Sequence, residues 1–296
     1  MARGFAGRPT NPGPPTLADV AFDIATAQSL GQRDCQEDAI VCQFAQGNDF
    51  GFVVLADGMG GHAAGDIASK IVVTEVFSEL MFQSSTLAGD PGMIGTVLRD
   101  AAQSANACLA GYVATHPATK GMGATLVAPV ISGRSLWWIS IGDSPLFLFR
   151  NGTLRQLNED HSLAPQIDFL AAQGQIDIET ARTHPDRNVL TSVLFGERVA
   201  RIDCPAHPAD MLDGDIIIVA SDGLQFLDEA KIISCLHGDS ATIARSLLAG
   251  LTDLADQDQD NVTFCVIRVL TNGQVQPDMD APWQRHRPQP AVRGAQ

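Results

Sequence analysis

The 296-residue chain is expected to adopt an α+β fold built on largely antiparallel sheets. Three observations lead there. Short apolar runs rich in β-branched and aromatic residues recur along the chain, bounded by Gly, Asp or Asn. Longer segments carry apolar residues at spacings of three and four, the helical signature. Several strands follow one another between the helices, without the strict alternation that winds a parallel sheet.

In chain order, residues 1–18 are rich in Pro and Gly and read as a tail. A strand is expected over 50–56 (FGFVVLA), then helices over 64–83 and 93–114. Strands follow over 124–130, 136–141 (LWWISI) and 146–150, the last running into Asn151-Gly152, a pair suited to a hairpin turn. A helix over 162–173, a strand over 215–220 (DIIIVA), a helix over 240–255 and a strand over 262–270 complete the set. Residues 272–296 are polar and Pro-rich, a second tail. Nothing between the tails has a linker's composition and no segment repeats, so one domain is expected over 19–271.

Composition excludes several classes of function. With 45% hydrophobic residues the chain can bury a large core. Its net charge of −15, from 34 acidic and 19 basic residues, argues against a nucleic-acid partner and suits carboxylates that gather hard cations. Only three of the basic residues are Lys, as in GC-rich bacterial genomes. The six cysteines, at 35, 42, 108, 204, 235 and 265, form no CxxC pair and read as free thiols of a reducing compartment. The seven histidines include no HxH or HExxH, against a zinc site of the usual spacing. No apolar run follows the N-terminal Arg, and none approaches the roughly 18 to 20 residues of a membrane span. A cytoplasmic, unanchored monomer is the expectation.

The placement of aspartates is the most informative feature. Asp57 follows FVVLA and precedes Gly58; Asp222 follows IIIVAS and precedes Gly223; Asp143 follows WWISIG. Asp260-Asn261 introduces the last strand. Carboxylates fixed at the ends of buried strands repel one another unless a cation neutralises them, and an all-oxygen set suits Mg2+ or Mn2+. Asp and Gly also end strands because they favour turns, so any single pair says little; four such sites together say more.

The segment Gly31-Gln32-Arg33-Asp34-Cys35-Gln36-Glu37-Asp38-Ala39 adds the decisive pattern. With ADGMGGHAAG, GMGATL, SIGDS, EDHS, NVLTSVLFG, VASDGL and DQDNVT, the chain resembles the metal-dependent type 2C protein phosphatases, the PPM family, over roughly residues 20 to 270. The resemblance implies a four-layer αββα sandwich, two antiparallel sheets flanked by pairs of antiparallel helices. It also implies a binuclear Mn2+ or Mg2+ centre that activates water to hydrolyse phosphoserine and phosphothreonine on proteins. By matched position, Asp57 would bridge two ions and the Gly58 carbonyl would ligate one. Asp222 and Asp260 would complete the first ion, with Glu37 and Asp38 at the second. Asp143, sharing Asp222, would hold a third ion. Arg33 would take the substrate phosphate, unless it pairs with Asp34 or Glu37 at the surface. His62 would protonate the leaving oxygen, unless it merely caps the helix after it.

Two positions depart from the family pattern. Gln36 stands where most relatives place Asn, and Pro145 where many bacterial relatives place Arg, a loss of positive charge expected to alter recognition of the substrate flank. Residues 161–200 resemble the bacterial flap, with bends expected at Gly174 and Pro185 and a role in contacting the substrate protein. Phosphorylated proteins are the implied partners, with a Ser/Thr kinase whose products are reversed. The competing reading is a phosphatase-like regulatory module that binds without turnover. Such modules usually lack metal ligands, and Asp57, Asp222 and Asp260 are present here.

Overall fold

The computed structural model of the chain describes residues 20–44, 49–60 and 64–271. The tails expected at 1–18 and 272–296, and His62, lie outside the described residues. The elements in order are β1 (Val20–Ser29), β2 (Asp38–Phe44), β3 (Phe50–Met59), α1 (Ala64–Gly89), α2 (Ile94–Thr115), β4 (Gly123–Ala124) and β5 (Leu126–Ser132). Then come β6 (Ser135–Ile141), β7 (Leu146–Arg150), β8 (Thr153–Gln156), α3 (Ala164–Ala172), α4 (Ile178–Arg182) and β9 (Ala209–Asp210). The set closes with β10 (Ile216–Ala220), α5 (Glu229–Cys235), α6 (Ser240–Leu254) and β11 (Val262–Thr271).

Two sheets form, one in the order β1-β11-β10-β7-β8 and one in the order β2-β3-β5-β6-β9, with β4 beside β3. The pairings between these strands are antiparallel. The two-residue period of a strand explains the layers. Along β3, Phe52, Val54 and Ala56 pack beneath α1 and α2, while Val53 and Leu55 enter the layer between the sheets. Along β10, Ile216, Ile218 and Ala220 meet α5 and α6, while Ile217 and Val219 enter that same middle layer. Both faces of each central strand are thus covered, so these strands read as continuous apolar runs. The result is α+β in four layers, helices outside and sheets within.

Local chemistry sets the ends of the elements. Asn151 (φ 51°) and Gly152 (φ 80°) make the β7–β8 turn in left-handed backbone, as their sequence implies. The Asp239 side chain accepts from the Thr242 N–H at 2.7 Å and starts α6. The strand expected over 124–130 is interrupted at Thr125, whose hydroxyl accepts the Asp57 N–H at 2.9 Å. Among the described residues no helix is long and apolar enough to cross a membrane.

Candidate metal centre

The expected site residues converge at one end of the two sheets. Asp57 lies within β3 rather than after it, and its antiparallel partner is Asp38, the first residue of β2. Both therefore belong to one sheet. Asp222 lies two positions after β10 and Asp260 two positions before β11, so these belong to the other sheet. Asp143 sits on the short connection from β6 to β7, which crosses between the sheets.

Close backbone approach holds the cluster together. A Cβ on Gly58 would stand 2.0 Å from the Gly65 carbonyl oxygen, so only glycine lets the first turn of α1 lie against β3. A Cβ on Gly223 would stand 2.0 Å from the Asn261 carbonyl oxygen, which likewise brings the Asp222 and Asp260 loops together. Asn261 ties three segments. Its side-chain oxygen accepts from Glu37 N–H at 2.8 Å, its amide donates to the Leu30 carbonyl at 2.9 Å, and its own N–H donates to Asp260 Oδ1 at 2.7 Å. Ser221 joins the sheets directly, its hydroxyl donating to Asp38 Oδ2 at 2.8 Å and accepting from the Thr263 N–H at 3.0 Å. Gln36 spans its loop: the amide oxygen accepts from Asp38 N–H at 3.0 Å and the amide nitrogen donates to the Ser29 carbonyl at 3.2 Å. The longer amide is thus accommodated. Pro145 is buried, and its carbonyl accepts the Ala220 N–H at 3.1 Å.

Electrostatics make this cluster costly as it stands. Burial pushes Asp57 well above the usual carboxylate range, and Asp38, Asp222, Asp143 and Asp260 push it further. Asp38 rises to about 7, chiefly through burial, against the Ser221 hydrogen bond and with help from Asp222 and Asp260. Asp143 rises to about 8 through burial, Asp222 and Asp160. Asp222 rises to about 6 through burial and Asp260, held down by its hydrogen bond with Asp57 and by Arg33. Glu37 also rises through burial, with Arg33 opposing. Glu37 Oε1, Asp38 Oδ1 and Asp222 Oδ1 are buried without a hydrogen-bond partner. Unpaired buried oxygens and mutually repelling carboxyls are what a divalent cation would relieve, so the donor set fits a hard metal ion. Among the described residues no group of three His, Cys, Asp or Glu side chains is already placed to hold a metal ion.

Arg33 is half exposed and forms an ion pair with Asp260, not with Asp34 or Glu37. It borders a cleft of about 490 Å3 lined also by Glu37, Asp57, Gly58, Met59 and Asp260. The segment 161–200, expected as a flap, lies beside the carboxylates, where Asn188, Val189 and Val193 line a cavity with Asp57, Asp143 and Asp222. Asp143 and Asp222 face a second cavity of about 310 Å3, whose far wall includes Arg182, Arg187 and Asn188. Within the flap Gly174 takes φ 71° just past α3, and Pro185 lies in a turn closed by Arg187 N–H on the His184 carbonyl at 3.0 Å. Arg187 grips Asp168 of α3 through two bonds of 2.6 and 2.8 Å. The flap returns to the core where Thr191 N–H donates to the His161 carbonyl at 2.7 Å.

Sequence reasoning assigned no role to Ser221, Thr125 or Asn261. Each lies inside a motif and adjoins a named aspartate or, for Thr125, pairs with one. A polar residue embedded between a carboxylate and an apolar strand was the signal available.

Residues 28–247 match the family model described as protein phosphatase 2C. The chain belongs to the protein phosphatase 2C family. This phosphatase 2C chain is 36% identical over 172 residues to the serine/threonine phosphatase stp of Listeria welshimeri serovar 6b, covering 58% of this chain and 66% of that relative. It therefore spans just under two thirds of that relative's length. The crystal structure of the Mycobacterium tuberculosis serine/threonine phosphatase PstP/Ppp superposes with a TM-score of 0.70 at 28% identity, over 84% of this chain and 99% of that one. The catalytic domain of serine threonine protein phosphatase PstP in complex with two manganese ions gives a TM-score of 0.67 at 28% identity, over 85% and 99%. These structures share the two-sheet, helix-flanked architecture.

Proposed function

We propose that this phosphatase 2C chain hydrolyses phosphoserine and phosphothreonine on proteins in a metal-dependent reaction in the cytoplasm, reversing the work of a Ser/Thr kinase. The observation that carries the reading is the convergence of Glu37, Asp38, Asp57, Asp222 and Asp260, with buried oxygens of Glu37, Asp38 and Asp222 that have no partner, beside the cleft bordered by Arg33. A PstP catalytic domain of the same architecture holds two manganese ions, which supports Mn2+ or Mg2+ as the occupant. Asp57, Asp222 and Asp260 would hold one ion, Asp57 with Glu37 and Asp38 a second, with the Gly58 carbonyl on one of the two, and Asp143 with Asp222 a third.

Such ions supply Lewis acidity and lower the pKa of water, giving a nucleophile at neutral pH. The chain's own residues do the rest. Ser221 holds the Asp38 carboxylate and Thr125 holds the Asp57 backbone N–H, which limits reorganisation at these two positions during the reaction. Arg33 stands at the cleft mouth, and a guanidinium has five N–H donors, so its pair with Asp260 leaves donors for phosphoryl oxygens. His62 gives the proton to the departing Ser or Thr oxygen, a role suited to imidazole, whose unperturbed pKa is ~6.5. Nothing in this scheme calls for a covalent phosphoenzyme.

Hydrolysis of a phosphothreonine peptide with and without Mn2+, by the wild type and by Asp222→Asn, tests the reading. Metal-dependent turnover that collapses in the variant is the expected result. A folded protein that binds the phosphopeptide yet turns over nothing with any divalent cation would instead mark a regulatory module.

A further inference from the structure

Three openings at the carboxylate end of the sandwich join into one groove. The cleft bordered by Arg33 shares Asp57 and Met59 with a cavity of about 410 Å3. That cavity in turn shares Asp143, Asn188 and Asp222 with the cavity of about 310 Å3 that Arg182 lines. The lining changes character along the way. The first opening is charged, with Arg33, Glu37 and Asp260. The middle one is walled by Met59, Val189, Leu190 and Val193, and Met59 and Val189 are 41% and 49% exposed. The third is charged again, with Asp143, Asp160 and Asp222 against Arg182 and Arg187.

The charges of the third opening are not equally available. Arg187 is committed to Asp168 through its two bonds of 2.6 and 2.8 Å. Asp160 accepts the Ser162 N–H at 2.8 Å. Asp143 and Asp222 belong to the candidate metal centre. Arg182, the last residue of α4, is exposed, and among the described residues its guanidinium has no ion pair or hydrogen bond. It therefore brings a full set of N–H donors to the end of the groove.

We propose that Arg182 is a specificity-determining residue that pairs with an acidic side chain of the substrate, on the flank of the phosphorylated residue and beyond an apolar neighbour. The inference rests on the reading of the chain as a phosphoprotein phosphatase. With the phosphoryl group at Arg33 and the carboxylates, an extended peptide advances roughly 3.3 Å per residue and lays its side chains along the groove. The nearer flank meets Met59 and Val189, where covering exposed apolar surface stabilises the complex. The farther flank reaches Arg182, whose planar donors suit a carboxylate.

A basic flank, drawn by Asp143, Asp160 and Asp222, is the opposing choice. Cations held by Asp143 and Asp222 would cancel most of that attraction, whereas the charge of Arg182 stays uncompensated. The pair forms at an exposed side chain, so it changes selectivity rather than driving binding.

The test uses the full chain with Mn2+ and phosphothreonine peptides in which a single Glu is stepped along either side of the phosphothreonine, with matched Gln and Lys peptides. The readout is the ratio of kcat/KM for each Glu peptide to its Gln counterpart, taken within one protein so that folding, metal loading and active fraction cancel. The wild type should favour Glu by about 2- to 5-fold at the register that reaches Arg182, and the preference should shrink as salt is raised. Arg182→Ala should erase the preference and Arg182→Glu should invert it in favour of Lys. The same ratios are read as Kd by fluorescence anisotropy. A chain that binds without turnover thus defeats the proposed function and still answers this question. Equal Glu and Gln ratios at every register, a wild-type preference for Lys, a Glu preference that survives in Arg182→Glu, or peptides that neither bind nor turn over would overturn the proposal.

Discussion

Removing divalent cations should make this protein less stable as pH rises, and Asp38 gives the size of the effect. The residue is 4% exposed, and its carboxyl rises from the ordinary 3.8 to about 7 in the folded chain. Below the unfolded value both states are protonated, and the folded state gains nothing from pH. Above it the unfolded chain releases the proton while the folded chain keeps it. Stability therefore falls with pH at up to about 1.4 kcal/mol per unit until the folded value is reached. Between pH 5 and 7 that amounts to about 2 to 3 kcal/mol, or roughly 5 to 10 °C for a domain of this size. Asp143 and Asp222 rise for the same reasons and add in the same direction. His161 works the other way: burial lowers its pKa, so it favours the folded state as pH rises toward ~6.5. Thermal unfolding in chelator at several pH values, for the wild type and Asp38→Asn, separates these, because His161 is common to both. The wild type should lose stability across this range and Asp38→Asn should lose markedly less. Mn2+ should raise the wild-type melting temperature more at pH 8 than at pH 5.5, since it binds ionised carboxylates. Parallel curves for the two proteins, or wild-type stability that climbs with pH, would refute the reasoning.

Other expectations concern single positions. Gly223→Ala puts a methyl group 2.0 Å from the Asn261 carbonyl oxygen and should cost about 1 to 3 kcal/mol or more, read in the urea midpoint, with weaker Mn2+ binding by calorimetry. Arg33→Ala should lower kcat/KM for a phosphopeptide about 10- to 100-fold, the worth of a charged hydrogen bond; an unchanged value would remove Arg33 from phosphate recognition. Arg187→Ala frees α3 from the flap turn but loses only an exposed ion pair, so global stability should move by less than about 1 kcal/mol. Its phosphoprotein turnover should fall while that of a small aryl phosphate holds; equal losses would deny the flap a part in selectivity. His62→Gln should slow a substrate with a poor alkoxide leaving group far more than an aryl phosphate, and equal slowing would reject proton donation.

How much was legible depended on what each element buries. The strands at 50–56, 146–150 and 262–270 stood out because both faces are covered, leaving uninterrupted apolar runs. β1 did not, because VAFDIATAQS carries Asp23, which accepts from Ser240 N–H at 2.8 Å and its hydroxyl at 2.7 Å to anchor α6. β2, at a sheet edge and only partly buried, and the seven-residue α5 gave equally weak patterns. The carboxylates were found because chain order and spacing survive in sequence. Their pairing was not, since Asp38 opposite Asp57 is a matter of strand register. Arg33 on Asp260 is likewise a contact between distant segments that no local spacing announces.

The division of the carboxylates between the sheets has a broader implication. Asp38 and Asp57 ride on one slab of the sandwich, Asp222 and Asp260 on the other, and the filling of Val53, Leu55, Val219 and Ile267 fixes the gap. That filling works as a gauge block for the distant carboxylates. Trimming or swelling it by one methylene would be felt as a change in metal preference before any loss of fold, so cation selectivity in this scaffold is open to drift through residues that touch no ligand.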